Sequence, residues 1–337
     1  MILLISLVAS GLLPLFAEGR RSHGDRISEF SSDILKTLAE RTVPDQTGAV
    51  GRNRKGYFHV RFQMGVHRLA NYALAEKDPR GIDHFLNAME YSLSHQQPDG
   101  RFSFVIPQEL DSEKGPSDAD RASGVAFFLS SAGTGIDALM TSSWFQETPE
   151  FQPFRDRCER IVQRLEPTIA ALLEDEPFLR KADLHAPNRL LFDAAAFLSL
   201  GKAMKNDEAT AAGERFLDLA SELIHEDGFF IERGGSDTSY NGVAAATALR
   251  IGLLLDSSSW VQIGLDAVSW QTTRISTEGE ISTEGNTRVR PGGESFLGRE
   301  KDVDVGHTIE ALSFASCLSE NPALTTLAKR VLGFYQR

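Results

Sequence analysis

Apolar and small residues recur along this chain in five long runs, each headed by polar side chains. They read HVRFQMGVHRLANYAL (59–74), DADRASGVAFFLSSAG (118–133), HAPNRLLFDAAAFLSLGKAM (185–204), DTSYNGVAAATALRIGLLL (237–255) and DVDVGHTIEALSFASCLS (302–319). Ala, Gly and Ser are frequent in these runs and charge is sparse beyond the first turn, as suits helices buried on most sides. Between them lie amphipathic segments near 25–40, 81–95, 153–175, 207–225, 257–273 and 321–336. In one of these, apolar residues return at Cys158, Ile161, Val162, Leu165, Ile169 and Leu172, the spacing of a single helix face. Buried and surface helices thus alternate every 50–60 residues or so, the mark of an array of helical hairpins.

Strand signals are short. HQQPDGRFSFVIP (95–107), EDGFFIERGG (226–235) and EGEISTEGNTRVR (278–290) read as loops or small hairpins joining an outer helix to the next inner one. There is no βαβ periodicity and no Rossmann or P-loop fingerprint. The predicted fold is all-α, an (α/α)5–6 toroid with short β-hairpins in its loops. It occupies residues 50–337 and is closed by 302–336, with 18–49 an N-terminal extension carrying the first outer helix. If the inner helices form a ring, their polar starts meet at one rim, where helix N-termini favour an anionic or polyhydroxylated ligand.

Charge and the N-terminus narrow the classes. A net charge of −12 over 337 residues argues against nucleic acid, while a local cluster of Arg and His can still oppose that global sign. Residues 1–17, MILLISLVASGLLPLFA, form an uncharged apolar run before Arg20-Arg21 and are expected to be a signal peptide cut after about Ala17. A secreted or periplasmic protein with no further membrane span follows. Cys158 and Cys317 lack any CxxC or Cys/His spacing and read as two inert thiols. No cofactor motif stands out. DVDVGH (302–307) has no second ligand cluster, so no metal is expected, and a structural Ca²⁺ is not favoured.

The order outer helix, DG-containing loop, polar-headed inner helix resembles the α/α-toroid carbohydrate-active enzymes, the polysaccharide lyases and six-hairpin glycosidases. DGFFIERGGSDTSYNG is similar to a loop-to-helix passage with Tyr-x-Gly in several such lyases, and HAPNR to their Asn-bearing helix start. SHQQPDGRFSF also resembles the repeat of terpene cyclases and prenyltransferase β-subunits, but it occurs once and without a DxDD acid motif.

The lyase resemblance implies Asn or Arg at a uronate carboxylate and Tyr or His in proton transfer. Abstraction of a proton α to a carboxylate needs charge relief, a base and an acid. Asn188 and Arg189 are the candidates for the carboxylate and Tyr240 for proton transfer, with His185, His59 or His307 as the second acid–base group. Arg61, Asn241 and Asp237 join them as binding residues, and Trp144 or an aromatic of 56–62 or 100–104 is placed to stack on a sugar face. Each has a plainer reading: Asn188 after Pro187, and Asp237 or Ser239, suit helix caps, and His67 suits a packed or pore-lining position. Glycoside hydrolysis is the alternative. It needs two carboxyl groups, for which Asp118, Asp120, Asp237, Asp302 and Asp304 are candidates. A non-catalytic toroid that binds glycans or a protein is a third reading, a terpene-type cyclase the last. The segment 274–301, with its doubled ISTEG, reads equally as a substrate-covering loop bearing Arg288 and Arg290 or as a surface hairpin.

Overall fold

In a computed structural model, residues 21–106, 117–289, 295–296, 299–300 and 302–336 are described. Among them the α-helices are α1 His23–Ile27, α2 Ser32–Glu40, α3 His67–Glu76, α4 Pro79–Ser94, α5 Asp118–Met140, α6 Ser143–Glu147 and α7 Gln152–Ala182. They continue as α8 Pro187–Met204, α9 Asp207–Ser221, α10 Thr238–Leu254, α11 Ser258–Thr272, α12 Val305–Leu318 and α13 Pro322–Tyr335. The small-residue runs form an inner ring in which α3, α5, α8, α10 and α12 pack on one another in that order. Each has its own outer helix, α4, α7, α9, α11 and α13 respectively. Helix α2 packs against both α3 and α12 and so spans the seam between first and last. The fold is an α/α toroid.

Turn chemistry explains why the hairpins close tightly at one pole. Four inner helices end in a left-handed residue, Lys77, Lys205, Asp256 and Glu320, with φ between 50° and 56°. The next residue, Asp78, Asn206, Ser257 or Asn321, caps the outer helix by accepting a backbone N–H in its side chain. The first stops one helix and the second starts the next, so two residues suffice.

At the other pole the return is longer. Isolated antiparallel bridges Gln96↔Phe102, Ile224↔Phe230 and Ile275↔Ile281 form three equivalent small hairpins, the first within the predicted 95–107 and the other two beginning two and three residues ahead of the predicted 226–235 and 278–290. Their glycines, Gly100, Gly228 and Gly279, have φ of 83°, 88° and 99°, and a Cβ there would press on the backbone of the neighbouring outer helix. Glycine meets both demands at once. A two-residue hairpin, β1 Ser295–Phe296 with β2 Arg299–Glu300, precedes the last inner helix.

One apolar cluster runs between the two layers from Ile27 to Val331. The axis of the ring is filled separately. Phe127, Phe192 and Val243, with Met64 against them, form a small cluster of their own, drawn from four consecutive walls of the ring. Beyond it lies a polar interior of His67, Ser131, Arg250 and Glu310, all buried. Helix α1 lies over the far pole, where His23 bonds Asp137 at 2.9 Å and Arg26 bonds Asp256 at 2.6 Å.

The first run departs from expectation. His59 and Arg61 do not begin a continuous helix: a 3₁₀ turn over Val60–Gln63 and Gly65, with φ 93°, separate them from His67. Cys158 and Cys317 are unpaired, and burial pushes their thiols up to about 12 and about 11. No helix among the described residues is long and apolar enough to cross a membrane.

Candidate functional site

The starts of the inner helices are tied to each other around one mouth. Ser239 Oγ, at the head of α10, accepts from the Asp304 amide that caps α12, at 2.9 Å. The Arg233 amide, ahead of α10, donates to the His185 carbonyl ahead of α8, at 2.8 Å. Arg189 of α8 reaches Asp120 of α5 at 3.9 Å and Asp183 at 3.1 Å, and Asp183 accepts from Ser123 of α5. His59 and Arg61 lean on α5 at Gly124, where a side chain would displace the His59 ring. Five walls therefore present polar groups to a common cleft.

The small axial cluster is the floor of that cleft. The Arg61 guanidinium lies 4.8 Å and that of Arg189 5.9 Å from the Phe127 ring centre. Phe127 packs on Phe192 at 4.6 Å, and Phe192 on the His307 ring at 6.0 Å. Two cations, an apolar platform and an imidazole thus adjoin each other. Tyr240, half-buried, stands in the field of Arg61 and Arg189, and the Arg288 guanidinium lies 4.9 Å from its ring. Arg288 is buried and bonded to Asp237 at 2.9 Å, so the strap through 286–288 is fastened over the head of α10 by Thr238, Ser236 and Asp237.

His307 is set up as half of a dyad. Its Nδ1–H donates to Asp304 Oδ2 at 2.8 Å, while the Asp304 Oδ1 caps the His307 amide at 2.9 Å. Nε2 is left with a lone pair and no hydrogen-bond partner among the described residues. Burial alone would raise the Asp304 carboxyl, but His307, bonded to it through both its ring and its backbone N–H, outweighs that and holds the carboxyl well below the usual range. His59 is different. Burial first, then Arg61 and Arg121, push it down to about 3, so it stays neutral and is poorly suited to carry a proton. Burial likewise brings Arg61 down to about 10, still charged at neutral pH.

Asn188 does not cap: the residue before the helix is Ala186, with no side-chain cap. Its amide is buried with Oδ1 unpaired among the described residues. Asp237 does cap, accepting the Tyr240 amide at 3.0 Å, and is held by Arg288 as well. Other candidates lie away from the cleft. The Asn241 amide turns outward, bonding Phe230, Ala267 and Gln271, and so fastens α10 to α11. Trp144 sits in α6 beyond the C-terminal end of α5, packed on Phe151 with Lys77 over it, at the opposite pole. His185 is on the rim but exposed, its carbonyl rather than its ring engaged. Asp118 is exposed and opens onto a neighbouring cavity rather than the floor. Arg290 falls outside the described residues.

Three acids went unread in the sequence. Glu232 is buried behind the Arg233 turn, and burial, with Asp237 adding, raises it to about 8. Asp193 is fully buried with neither oxygen bonded among the described residues, and burial, with Asp183 adding, raises it well above the usual carboxylate range. Asp183 is raised by burial against the pull of Arg189. An acid inside the apolar stretch LLFDAAAF was the visible signal for Asp193. No cluster of three or more His, Cys, Asp or Glu able to hold a metal occurs among the described residues, and Asp304 and His307 of DVDVGH bond each other.

No protein-family model and no curated protein matches the sequence. Solved structures similar to the chain include a chondroitin AC lyase of Streptomyces coelicolor A3 in complex with chondroitin sulphate, at TM-score 0.46 and 11% identity over 90% of this chain. The alignment spans only 40% of that lyase. A sugar epimerase from a ruminal bacterium aligns at TM-score 0.48 and 9% identity over 93% of this chain and 97% of its own. An unsaturated glucuronyl hydrolase with dGlcA-Glc-Rha-Glc aligns at TM-score 0.47 and 12% identity, over 92% of this chain and 82% of its own. All three are α/α-toroid carbohydrate-active enzymes, and at this identity no residue's role passes from them to this chain.

Proposed function

We propose that the cleft binds a uronate-containing poly- or oligosaccharide and cleaves it by β-elimination. The observation that carries the reading is the pair of guanidiniums, Arg61 and Arg189, set over the Phe127–Phe192 platform beside an imidazole with an unpaired nitrogen. A sugar ring has an apolar C–H face for the platform, and its carboxylate accepts from the Arg189 guanidinium and from the Asn188 side-chain N–H. The His307 Nε2 lone pair takes the proton α to the carboxylate. The electrons of that C–H bond form the ring double bond, the glycosidic C–O bond breaks, and the leaving oxygen receives a proton from the Tyr240 hydroxyl. Asp304 steadies the imidazolium, and Arg61, Arg189 and Arg288 give the positive field a phenol needs to give up a proton near neutrality. Export, supported by the apolar run 1–17, belongs to the same proposal.

Hydrolysis is the second reading, favoured by one observation: Glu232 stays protonated near neutral pH beside Asp237, as an acid–base pair requires. Against it, Glu232 is buried and Asp237 is engaged by Arg288 and the helix cap. Of the other carboxyls, Asp120 faces Arg189 and Asp304 holds His307. Incubation with a panel of uronate polymers decides. The expected result is ultraviolet absorbance from an unsaturated product, reduced about 10²-fold or more in Tyr240→Phe, and strongly in Asn188→Ala. Reducing ends without that absorbance would move the assignment to the hydrolase. Glycan binding without turnover, unchanged in both variants, would leave a binding toroid.

A further inference from the structure

Beside the rim, between the 97–104 loop, the first turns of α5 and the C-terminal part of α7, lies a cavity of about 720 Å³. That is within the range of small-ligand sites. None of the residues assigned to the chemistry above lines it, yet it reaches the rim through His59, whose ring stands 5.3 Å from Phe104. Its aromatic walls are Phe102, Phe104 and Phe178, and Phe178 is 46% exposed, whereas the other large apolar residues of α7 are buried or half-buried. A phenyl ring left open at a cavity mouth offers a face to a ligand.

The charges lining the cavity balance. Arg101 bonds Asp175 at 3.0 Å, the Arg121 guanidinium lies 4.9 Å from the Phe104 ring, and Asp118 stands exposed at the head of α5. An anion would meet Asp118 and Asp175 as soon as it met the arginines. A neutral ring with apolar faces and hydroxyls at its edge fits both sets of groups: the faces on phenyl rings, the hydroxyls on carboxylates and guanidiniums.

We propose that this cavity is a distal subsite for a neutral pyranose unit of the glycan whose acidic unit occupies the central cleft, the chain passing His59 between them. This rests on the glycan reading of the cleft, but its test does not. Neutral trisaccharides of glucose and of N-acetylglucosamine, titrated against the intact protein by saturation-transfer NMR and calorimetry, are expected to bind weakly. Binding falls about tenfold in Phe104→Ala/Phe178→Ala and is unchanged in Tyr240→Phe. Phe178→Ala alone, at its exposed position, gives a smaller loss with an unaltered melting temperature. Failure of the wild type to bind either trisaccharide, or equal binding by the phenylalanine variants, overturns the subsite. Trisaccharide binding with that pattern, but no turnover of any uronate polymer, upholds the subsite and removes the lyase reading instead.

Discussion

Single residues at the mouth are distinguished by what each already holds. Asp237 caps its helix and is paired, Asn241 is engaged on all sides, and Asn188 keeps an unpaired buried oxygen among the described residues. The sequence placed all three at helix starts and had no means of ranking them, because a cap and a ligand-binding amide look alike in one dimension. Glu232 was hidden for another reason: FIERGG reads as a turn, and only packing behind Arg233 buries the carboxyl. Its raised proton affinity has a consequence for stability. The unfolded chain releases this proton near pH ~4.5, whereas the folded chain keeps it to about pH 8, so folding is fully favoured by this group below ~4.5 and loses that contribution as pH rises to 8. Glu232→Gln removes the titration. Urea midpoints at pH ~5, ~6.5 and ~8 should then decline less with pH in the variant than in the wild type. Parallel declines would show that Glu232 is ionised in the folded protein.

Elements follow their local chemistry closely, which is why most of them were legible. The runs at 185, 237 and 302 become inner helices within a few residues of their expected ends, the run at 118 continues seven residues further to Met140, and the two DG loops become bridge hairpins. Trp144 was misplaced by geometry that the sequence did contain. Helix α5 has 23 residues, and at about 1.5 Å per residue its far end lies some 35 Å from the rim. The turns at that far pole were not foreseen, because their left-handed positions are Lys, Asp and Glu instead of Gly. A left-handed backbone costs about 1 kcal/mol for such residues and nothing for glycine. Lys205 is exposed at φ 55° and its N–H already closes the end of α8. Lys205→Gly is therefore expected to stabilise the protein by roughly 0.5 kcal/mol, the relief of backbone strain exceeding the added freedom of the unfolded chain. A loss of stability in chemical denaturation would mean that the Lys205 side chain does more at this turn than its exposure implies.

At the scale of the whole molecule, a toroid must close, and here closure rests on a buried charged group as well as on apolar packing. Glu310 of α12 accepts from His67 at 2.7 Å and from Arg68 at 2.8 Å, both on α3, and Arg250 of α10 comes within 3.6 Å of the same carboxylate. The last inner helix is thereby pinned to the first and to its neighbour. Burial, then Arg250, lower His67 to about 3, so it stays neutral and the two guanidiniums face the single carboxylate of Glu310. Burial would raise that carboxylate, but the hydrogen bond from His67 and the charges of Arg68 and Arg250 outweigh it and hold it well below the usual range. Its contribution is present above the unfolded value near pH ~4.5 and is lost only as pH falls through the lower folded value. Arg68 also acts on Asp304, the partner of His307, and its guanidinium borders Gly306 in the first turn of α12. The seam and the mouth of the cleft thus share a residue. Glu310→Gln keeps the shape and removes the charge, leaving two buried guanidiniums opposed by none at that point. The expected cost is about 3 kcal/mol or more at neutral pH, measured by urea unfolding. Hydrogen exchange should show α12 and α3 losing protection ahead of α8, because the ring opens where it was joined. A change under ~1 kcal/mol, or loss of protection spread evenly over the inner helices, would place closure in the apolar contacts of α2 and leave the charged group as packing alone.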